Sequence, residues 1–396
     1  MEISLLHTPD GVRDIYNEEC EKKIILEKKL SETMESYGYH IMQTPMFEFF
    51  DVFGKEIGTT PSRDLFKFFD HEGNTLVLRP DITPSIARAA AKYFYEETMP
   101  IKLYYNGNSF INNDSYKGRL KEVTQIGCEL INDNSVSADA EMIVLAISAL
   151  KASGLKDFQI SIGHANFFQG LVDAVGLDRE TTEELRDLLG NKNFFRVEEV
   201  ISKLSISDDA REMFSLLGGF HANVDEIRRV KVKALGSQTI TDAIKRILDL
   251  DDLLKIYGVD KYVSYEFGNV SAHEYYTGVI FSAYTYGSGE PVISGGRYDR
   301  LIKHFGKDAP AIGFAIVVDT LMTALFRQNI DIPFERECEL VCFDKDNEKA
   351  AILYGEKQRT DGKNIELMPM VYGKDHDSYE AYAKKNYCNK VTFMEG

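Results

Sequence analysis

The chain has 396 residues, a formal net charge of -17 at pH 7 and an ordinary share of apolar side chains. This length predicts a large domain together with at least one smaller one. The acidic charge argues against broad non-specific binding of nucleic acid, so we expect no tRNA binding. Because no run of 18 apolar residues and no signal-peptide pattern occurs, we expect a soluble, cytoplasmic protein that does not associate with membranes.

The cysteines are scattered along the sequence, at Cys20, Cys128, Cys338, Cys342 and Cys388. Cys338 and Cys342 form the only close pair, and no second pair or histidine cluster accompanies them to complete a zinc site. We therefore expect free thiols, as is usual in a reducing cytosol, and no metal site.

The first part of the chain predicts an α+β domain. Residues 18–38 carry apolar side chains at helical spacing and predict a long amphipathic helix. A second helix is expected to begin at Thr83 or Pro84, and a third to cover 137–153. Stretches rich in aromatic and β-branched residues predict the strands of an antiparallel sheet, at 39–50, 67–80, 101–111 and 157–164.

The composition changes between about residues 167 and 256, where charged and leucine-rich segments predict helices. Strand-like sequence resumes at 262–269, 275–285 and 291–296. We therefore predict a helical insertion that splits one sheet domain spanning residues 1–326. After a linker, alternating strand and helix patterns predict a small C-terminal α/β module over 337–396.

Polar side chains stand in or beside the sheet-like segments of the first domain. Carboxylates combined with amide, hydroxyl and phenol groups suit the ammonium and imidazole groups of an amino acid, because a cation that leaves water needs charged or multiply hydrogen-bonded partners. Each residue alone is more often found at a solvated surface position than in a ligand site, so the prediction depends on the combination. Its members are Asp81, Thr83, Gln125, Glu129, Tyr275 and Tyr276.

A glycine pair at Gly295 and Gly296 permits either a tight turn or a close approach of the backbone to a ligand. The pair belongs to one of several segments that resemble the histidyl-tRNA synthetase catalytic domain in order and approximate spacing. These segments are RPDITPSIAR (79–88), FINNDSYKGRLKEVTQIGCE (110–129), EYYTGVIF (274–281) and SGGRYDRLIKHFGKDAPAIGFAI (294–316).

This resemblance covers residue 7 to about residue 326 and includes the helical insertion of that family. It implies a class II aminoacyl-tRNA synthetase-like fold, in which an antiparallel sheet is flanked by helices. It also implies a homodimer that forms through the motif 1 region, where Pro45 stands. The histidine pocket of the family falls on the six polar residues listed above.

The arginines that act on ATP in the synthetases are missing, because their positions hold Ile111, Ser271 and Thr320. Asp114 adds a negative charge where the family has a cation, and Arg119 remains in the loop as a candidate phosphate or anion contact. A single electrostatic stabiliser typically contributes about a hundredfold to a thousandfold in rate. We therefore expect no catalytic residues and no amino-acid activation.

A synthetase-like core without these arginines resembles the regulatory subunits of short-form ATP phosphoribosyltransferase, the first enzyme of histidine biosynthesis. The resemblance implies a non-catalytic protein without a cofactor that joins the short catalytic subunit in a hetero-octamer. It also implies feedback inhibition by histidine, which must favour the inhibited arrangement. Two alternatives stay open: a divergent histidine-tRNA ligase, and a stand-alone sensor of histidine or uncharged tRNA.

Overall fold

The computed structural model describes residues 6–54, 60–113, 119–218, 235–268, 276–334 and 337–396. Contacts along the chain separate two units. The large unit contains the residues up to 14 and residues 26–331, and the small unit contains residues 15–25 and 332–396. In the described part of the chain, no helix is both long and apolar enough to cross a membrane.

The described helices up to residue 334 begin with the three that were predicted individually, which lie close to their predicted positions because caps and amphipathic spacing are local signals. They are α1 (Asn17–Ser36), α2 (Thr83–Tyr93), α3 (Val136–Ala152), α4 (Ala165–Val175), α5 (Arg179–Gly190), α6 (Phe194–Lys203), α7 (Asp208–Ser215), α8 (Gln238–Ile256), α9 (Leu301–His304) and α10 (Val318–Arg327). The helices from α4 to α8 occupy the segment predicted as a helical insertion.

The strands of the large unit form two sheets. They are β1 (His40–Ile41), β2 (Phe47–Phe49), β3 (Lys67–Phe69), β4 (Thr75–Leu78), β5 (Ile101–Phe110), β6 (Glu122–Ile131), β7 (Phe158–His164), β8 (Val263–Tyr265), β9 (Val279–Thr285), β10 (Ile293–Arg297) and β11 (Ala311–Val317). Eight of them form a sheet in the order β1-β5-β6-β11-β10-β9-β7-β8, and the others form a three-stranded sheet in the order β2-β4-β3.

The larger sheet is antiparallel across its six inner strands, as predicted. The two edge strands β1 and β8 instead pair parallel to their neighbours, which the sequence did not indicate. Register places glycines on one face of the inner strands, since Gly313 lies opposite both Glu129 and Gly296. Because glycine has no Cβ, side chains from the adjacent segments can lie directly across this face.

The small unit contains β12 (Cys338–Phe343), α11 (Glu348–Thr360), β13 (Asn364–Pro369), α12 (His376–Lys385) and β14 (Lys390–Met394). Its parallel sheet has the order β13-β12-β14 and matches the predicted alternation of strands and helices. The expectation of free thiols is wrong for Cys338 and Cys388, which form a disulfide. The fold brings these residues together across a separation of 50 positions, so their spacing gave no signal.

Candidate functional site: a pocket around a buried carboxyl group

Glu129 of β6 lies at the centre of the glycine-rich face and is fully buried. Thr83 Oγ1 donates a 2.8 Å hydrogen bond to Glu129 Oε1, and the hydroxyl of Tyr298 donates to Oε2. Burial raises the pKa of Glu129 to about 8, although both hydrogen bonds act in the opposite direction. The group is therefore an acid that changes its charge close to neutral pH.

Glycines shape the floor of this pocket. A Cβ atom added to Gly313 would overlap the carboxylate of Glu129, and one added to Gly127 would overlap the hydroxyl of Tyr105. Tyr105 is fully buried beside Glu129, and burial raises its pKa well above the ordinary value. The absence of these Cβ atoms therefore makes room for two polar side chains that the pocket needs.

Asp81 and Thr83 enter the pocket from the beginning of α2, where Pro84 favours the first helical turn. The backbone N–H of Thr83 donates to Asp81 Oδ1 at 3.3 Å, and the charge of Asp81 contributes to the raised pKa of Glu129. The structure therefore brings Asp81, Thr83 and Glu129 together, as the sequence predicted.

Gln125 lies two residues from Gly127, on the same face of β6. Its Oε1 atom is buried and has no hydrogen-bond partner among the described residues. The same holds for Ser109 Oγ, on the matching face of β5, and for Asn113 Oδ1 just beyond that strand. Since buried polar atoms are normally hydrogen-bonded, these three atoms are candidate contacts for a polar ligand.

Tyr276 packs over Gly296, where an added Cβ would lie 2.7 Å from the ring. It also contacts the apolar cluster that contains Ile82 and Tyr105. The structure thus places Tyr276 as a wall of the pocket, while its predicted partner Tyr275 lies outside the described residues. Sequence reasoning missed Tyr105 and Tyr298, although Tyr298 stands in the quoted GGRYDRL segment.

The positions of the missing arginines lie at the ends of structural elements. Ile111 follows β5 and donates its backbone N–H to Lys121, whereas Thr320 lies in the first turn of α10; both are half-buried. Ser271 and Asp114 lie outside the described residues. Arg119 is 55% exposed and its guanidinium forms a 2.5 Å ion pair with Glu290, so its role as an anion contact remains a prediction.

A family model described as histidyl-tRNA synthetase matches residues 11–321. A protein of Acetivibrio thermocellus named ATP phosphoribosyltransferase regulatory subunit is 40% identical over 96% of this chain and 90% of its own length. A protein of Ruminiclostridium cellulolyticum with the same name is also 40% identical, again over 96% of this chain and 90% of its own length.

A solved structure from Bacillus halodurans is similar to this chain along its whole length. It is described as an ATP phosphoribosyltransferase regulatory subunit/histidyl-tRNA synthetase, and it matches with a TM-score of 0.87 and 29% identity over the whole of both chains. The predicted class II synthetase-like fold is thereby confirmed. The chain belongs to the family of ATP phosphoribosyltransferase regulatory subunits, which is built on the histidyl-tRNA synthetase fold.

Proposed function

We propose that this regulatory subunit binds histidine in the pocket around Glu129 and conveys feedback inhibition by histidine to ATP phosphoribosyltransferase. The observation that carries the proposal is a buried carboxyl group held by hydroxyl donors, in a chain whose positions 111 and 320 hold Ile and Thr instead of arginine. The pocket suits a small polar cation, whereas the arginines that stabilise adenylate formation are absent there. The names of the relatives support the regulatory, non-catalytic role.

The chemistry of histidine matches the donors and acceptors of the pocket. Glu129 can accept a hydrogen bond from the imidazole, and Asp81 offers a carboxylate to the ammonium group. Gln125 supplies a further acceptor that has no partner among the described residues. Tyr276 provides an aromatic wall, and no metal or cofactor enters the proposal.

The proposed partner is the short-form catalytic subunit, with which the chain would form a hetero-octamer. Bound histidine can inhibit only if it prefers the inhibited arrangement of that complex. A tenfold preference supplies about 1.4 kcal/mol of coupling free energy. The linkage is reciprocal, so the catalytic subunit in its active arrangement should weaken histidine binding by the same factor.

We further propose that two copies of the chain associate through the sheet formed by β2, β3 and β4, which follows Pro45. Phe47 is 51% exposed and Phe69 is 73% exposed, and Phe47 packs edge-on against Phe68 at 5.8 Å between ring centroids. Clustered exposed aromatic side chains usually mark a protein interface. A second copy of this chain is the occupant that the family resemblance implies.

The proposed function is tested by mixing the purified chain with the short catalytic subunit of the same organism. We expect one larger complex in size exclusion with light scattering, with higher phosphoribosyltransferase activity than the catalytic subunit alone. Added histidine should lower that activity, and Glu129→Ala should remove most of the inhibition. Separate elution of the two proteins, or inhibition that is equally strong without this chain, would contradict the proposal.

A further inference from the structure

Arg79 is a buried cation that has no assigned role in the pocket around Glu129. It follows β4, is only 4% exposed, and lies across the same face as the pocket. Its Nε donates to the backbone oxygen of Asn108 at 2.8 Å, and its Nη1 donates to the backbone oxygens of Thr44 and Pro45 at 2.9 and 3.3 Å. These acceptors are neutral, so they satisfy N–H groups without balancing the positive charge.

The carboxylates near Arg79 act on it through space. Burial, the largest cause, lowers the pKa of the guanidinium, whereas the nearby Tyr105, Glu48 and Asp81 raise it by charge. Glu48 accepts a 2.7 Å hydrogen bond from Arg88, and is therefore already paired with another cation. A buried cation whose hydrogen-bonded partners are neutral is costly, and an anionic ligand beside it would reduce that cost.

A cavity of about 200 Å³ lies beside this cation, lined among others by Arg79, Thr44, Ile82, Tyr105 and Gly107. An added Cβ on Gly107 would overlap Nη2 of Arg79, so the guanidinium lies directly over the strand at that glycine. Tyr105 and Ile82 also belong to the cluster that Tyr276 packs against, and Tyr105 lies beside Glu129, so the cavity and the Glu129 pocket share Tyr105.

Two buried polar atoms lie close to the same glycine. Gln125 stands opposite Gly107 in the pairing of β5 and β6, and its Oε1 has no partner among the described residues. Ser109, two residues beyond Gly107 on the same face, is fully buried, and its hydroxyl likewise has no partner in the described part of the chain. A cation, a hydroxyl donor and an amide acceptor thus lie near Gly107.

We infer that Arg79 binds the carboxylate of the amino-acid effector, with the hydroxyl of Ser109 as a further donor, while the Oε1 acceptor of Gln125 serves the ammonium group. This inference rests on the proposed function, because it concerns the same ligand. Glu129 and Asp81 serve the cationic groups of the effector, and Arg79 serves its anionic group. Ile111 offers no cation at the end of β5, so Arg79 is the guanidinium that the cavity presents.

The experiment compares histidine with histamine, which has the imidazole and ammonium groups but no carboxylate. Calorimetry is performed on the unaltered full-length chain and on Arg79→Gln, Arg79→Lys and Arg63→Gln. Arg63 is a matched control, because its side chain is 86% exposed in a turn near the end of β5. Thermal unfolding and circular dichroism establish that each variant is folded.

We expect the unaltered chain to bind histidine roughly tenfold to a hundredfold more tightly than histamine, as a charge-assisted hydrogen bond allows. Arg79→Gln should remove most of that difference in affinity, because it weakens the binding of histidine and not of histamine. Arg63→Gln should preserve the difference. Arg79→Lys should retain part of it, because it keeps the charge but not the planar fork.

Several outcomes overturn the inference. Equal affinity of the unaltered chain for histidine and histamine does so without any variant, which matters if Arg79→Gln fails to fold. A folded Arg79→Gln protein that loses both ligands equally, or neither, also overturns it while leaving histidine binding intact as a function. If the unaltered chain binds neither ligand, with or without the catalytic subunit, the proposed function itself fails.

Discussion

The hydroxyl of Tyr298 donates a hydrogen bond to the buried carboxyl group of Glu129, across a separation of 169 positions in the chain. Thr83 occupies the other oxygen of the same group. The pair of donors fixes the orientation of Glu129, so Tyr298 is a positioning residue for the proposed ligand.

Tyr298→Phe should lower histidine affinity by roughly twofold to tenfold, because it removes a hydrogen bond that orients Glu129 and such a bond typically contributes about 0.5 to 1.5 kcal/mol. The Tyr298 hydroxyl also lowers the pKa of Glu129, so its removal should shift the pH dependence of binding upward. Calorimetry between pH 6 and 9 measures both effects. Tyr286→Phe, at an exposed tyrosine, is the control, and identical pH profiles for all three proteins would contradict the assignment.

Glu129 should make the stability of the chain depend on pH. Its pKa is raised from 4.5 when unfolded to about 8 when folded, so the folded state holds the proton more tightly between these values. The contribution of Glu129 to the free energy of unfolding is complete below pH 4.5 and is lost as the pH rises through 8. The difference in unfolding free energy between the unaltered chain and Glu129→Gln should therefore shrink over that range. If the unfolding free energies of the two proteins change in parallel from pH 5 to 9, the carboxyl group of Glu129 does not titrate as described.

His164 should make the stability of the chain depend on pH in a more acidic range. It is buried at the beginning of α4, where its Nδ1 accepts a hydrogen bond from the backbone N–H of Asn166 at 3.3 Å. Burial, followed by the charges of Arg246 and Arg297, lowers its pKa from 6.5 to about 3. The neutral imidazole thus contributes stability above pH 6.5 that is lost as the pH falls through 3.

His164→Asn keeps a side-chain acceptor for the helix cap but cannot take up a proton. Chemical denaturation from pH 7 to 4 should show a smaller loss of stability for this variant than for the unaltered chain. His376→Asn, at an exposed histidine of α12, should match the unaltered chain instead. An equal loss for all three would exclude His164 as the titrating group.

The purified chain should catalyse no histidine-dependent exchange of pyrophosphate into ATP. Positions 111 and 320 hold no arginine, and each missing electrostatic stabiliser typically removes about a hundredfold to a thousandfold in rate. Ile111→Arg alone should not restore exchange, because the other arginines remain absent. A histidyl-tRNA synthetase assayed in parallel is the positive control. Robust exchange by the unaltered chain would instead support the tRNA ligase alternative.

Phe47→Lys should weaken self-association of the isolated chain by placing a charge in the proposed interface. Sedimentation velocity at several concentrations should show the dimer of the unaltered chain shifting toward monomer in the variant. Phe195→Lys alters an equally apolar side chain on α6 that is 79% exposed, and should sediment as the unaltered chain does. A monomeric unaltered chain at all concentrations would rule out the homodimer.

The sequence predicted the local elements well and the long-range pairings less completely. Thr83 and Glu129 were both identified, because each stands in a segment with a recognisable pattern. The role of Tyr298 was missed, since GGRYDRL was used only as evidence of resemblance. The two edge strands pair parallel to their neighbours, β1 with β5 and β8 with β7. Each pairing joins strands far apart in the sequence, for which hydrophobic periodicity carries no signal. The disulfide between Cys338 and Cys388 was missed for the same reason.

Gly313 leaves the space that the Glu129 carboxyl group occupies, whereas Ile111 and Thr320 lie half-buried at the ends of elements. Changing either of the latter two alters chemistry with little effect on packing, but adding one methyl group at Gly313 would displace the acid itself. Replacing the catalytic arginines therefore disturbs the packing of this fold little, whereas replacing the glycines of the pocket disturbs it strongly. A synthetase scaffold can therefore lose its catalytic arginines by substitutions at the ends of elements and keep the arrangement around Glu129.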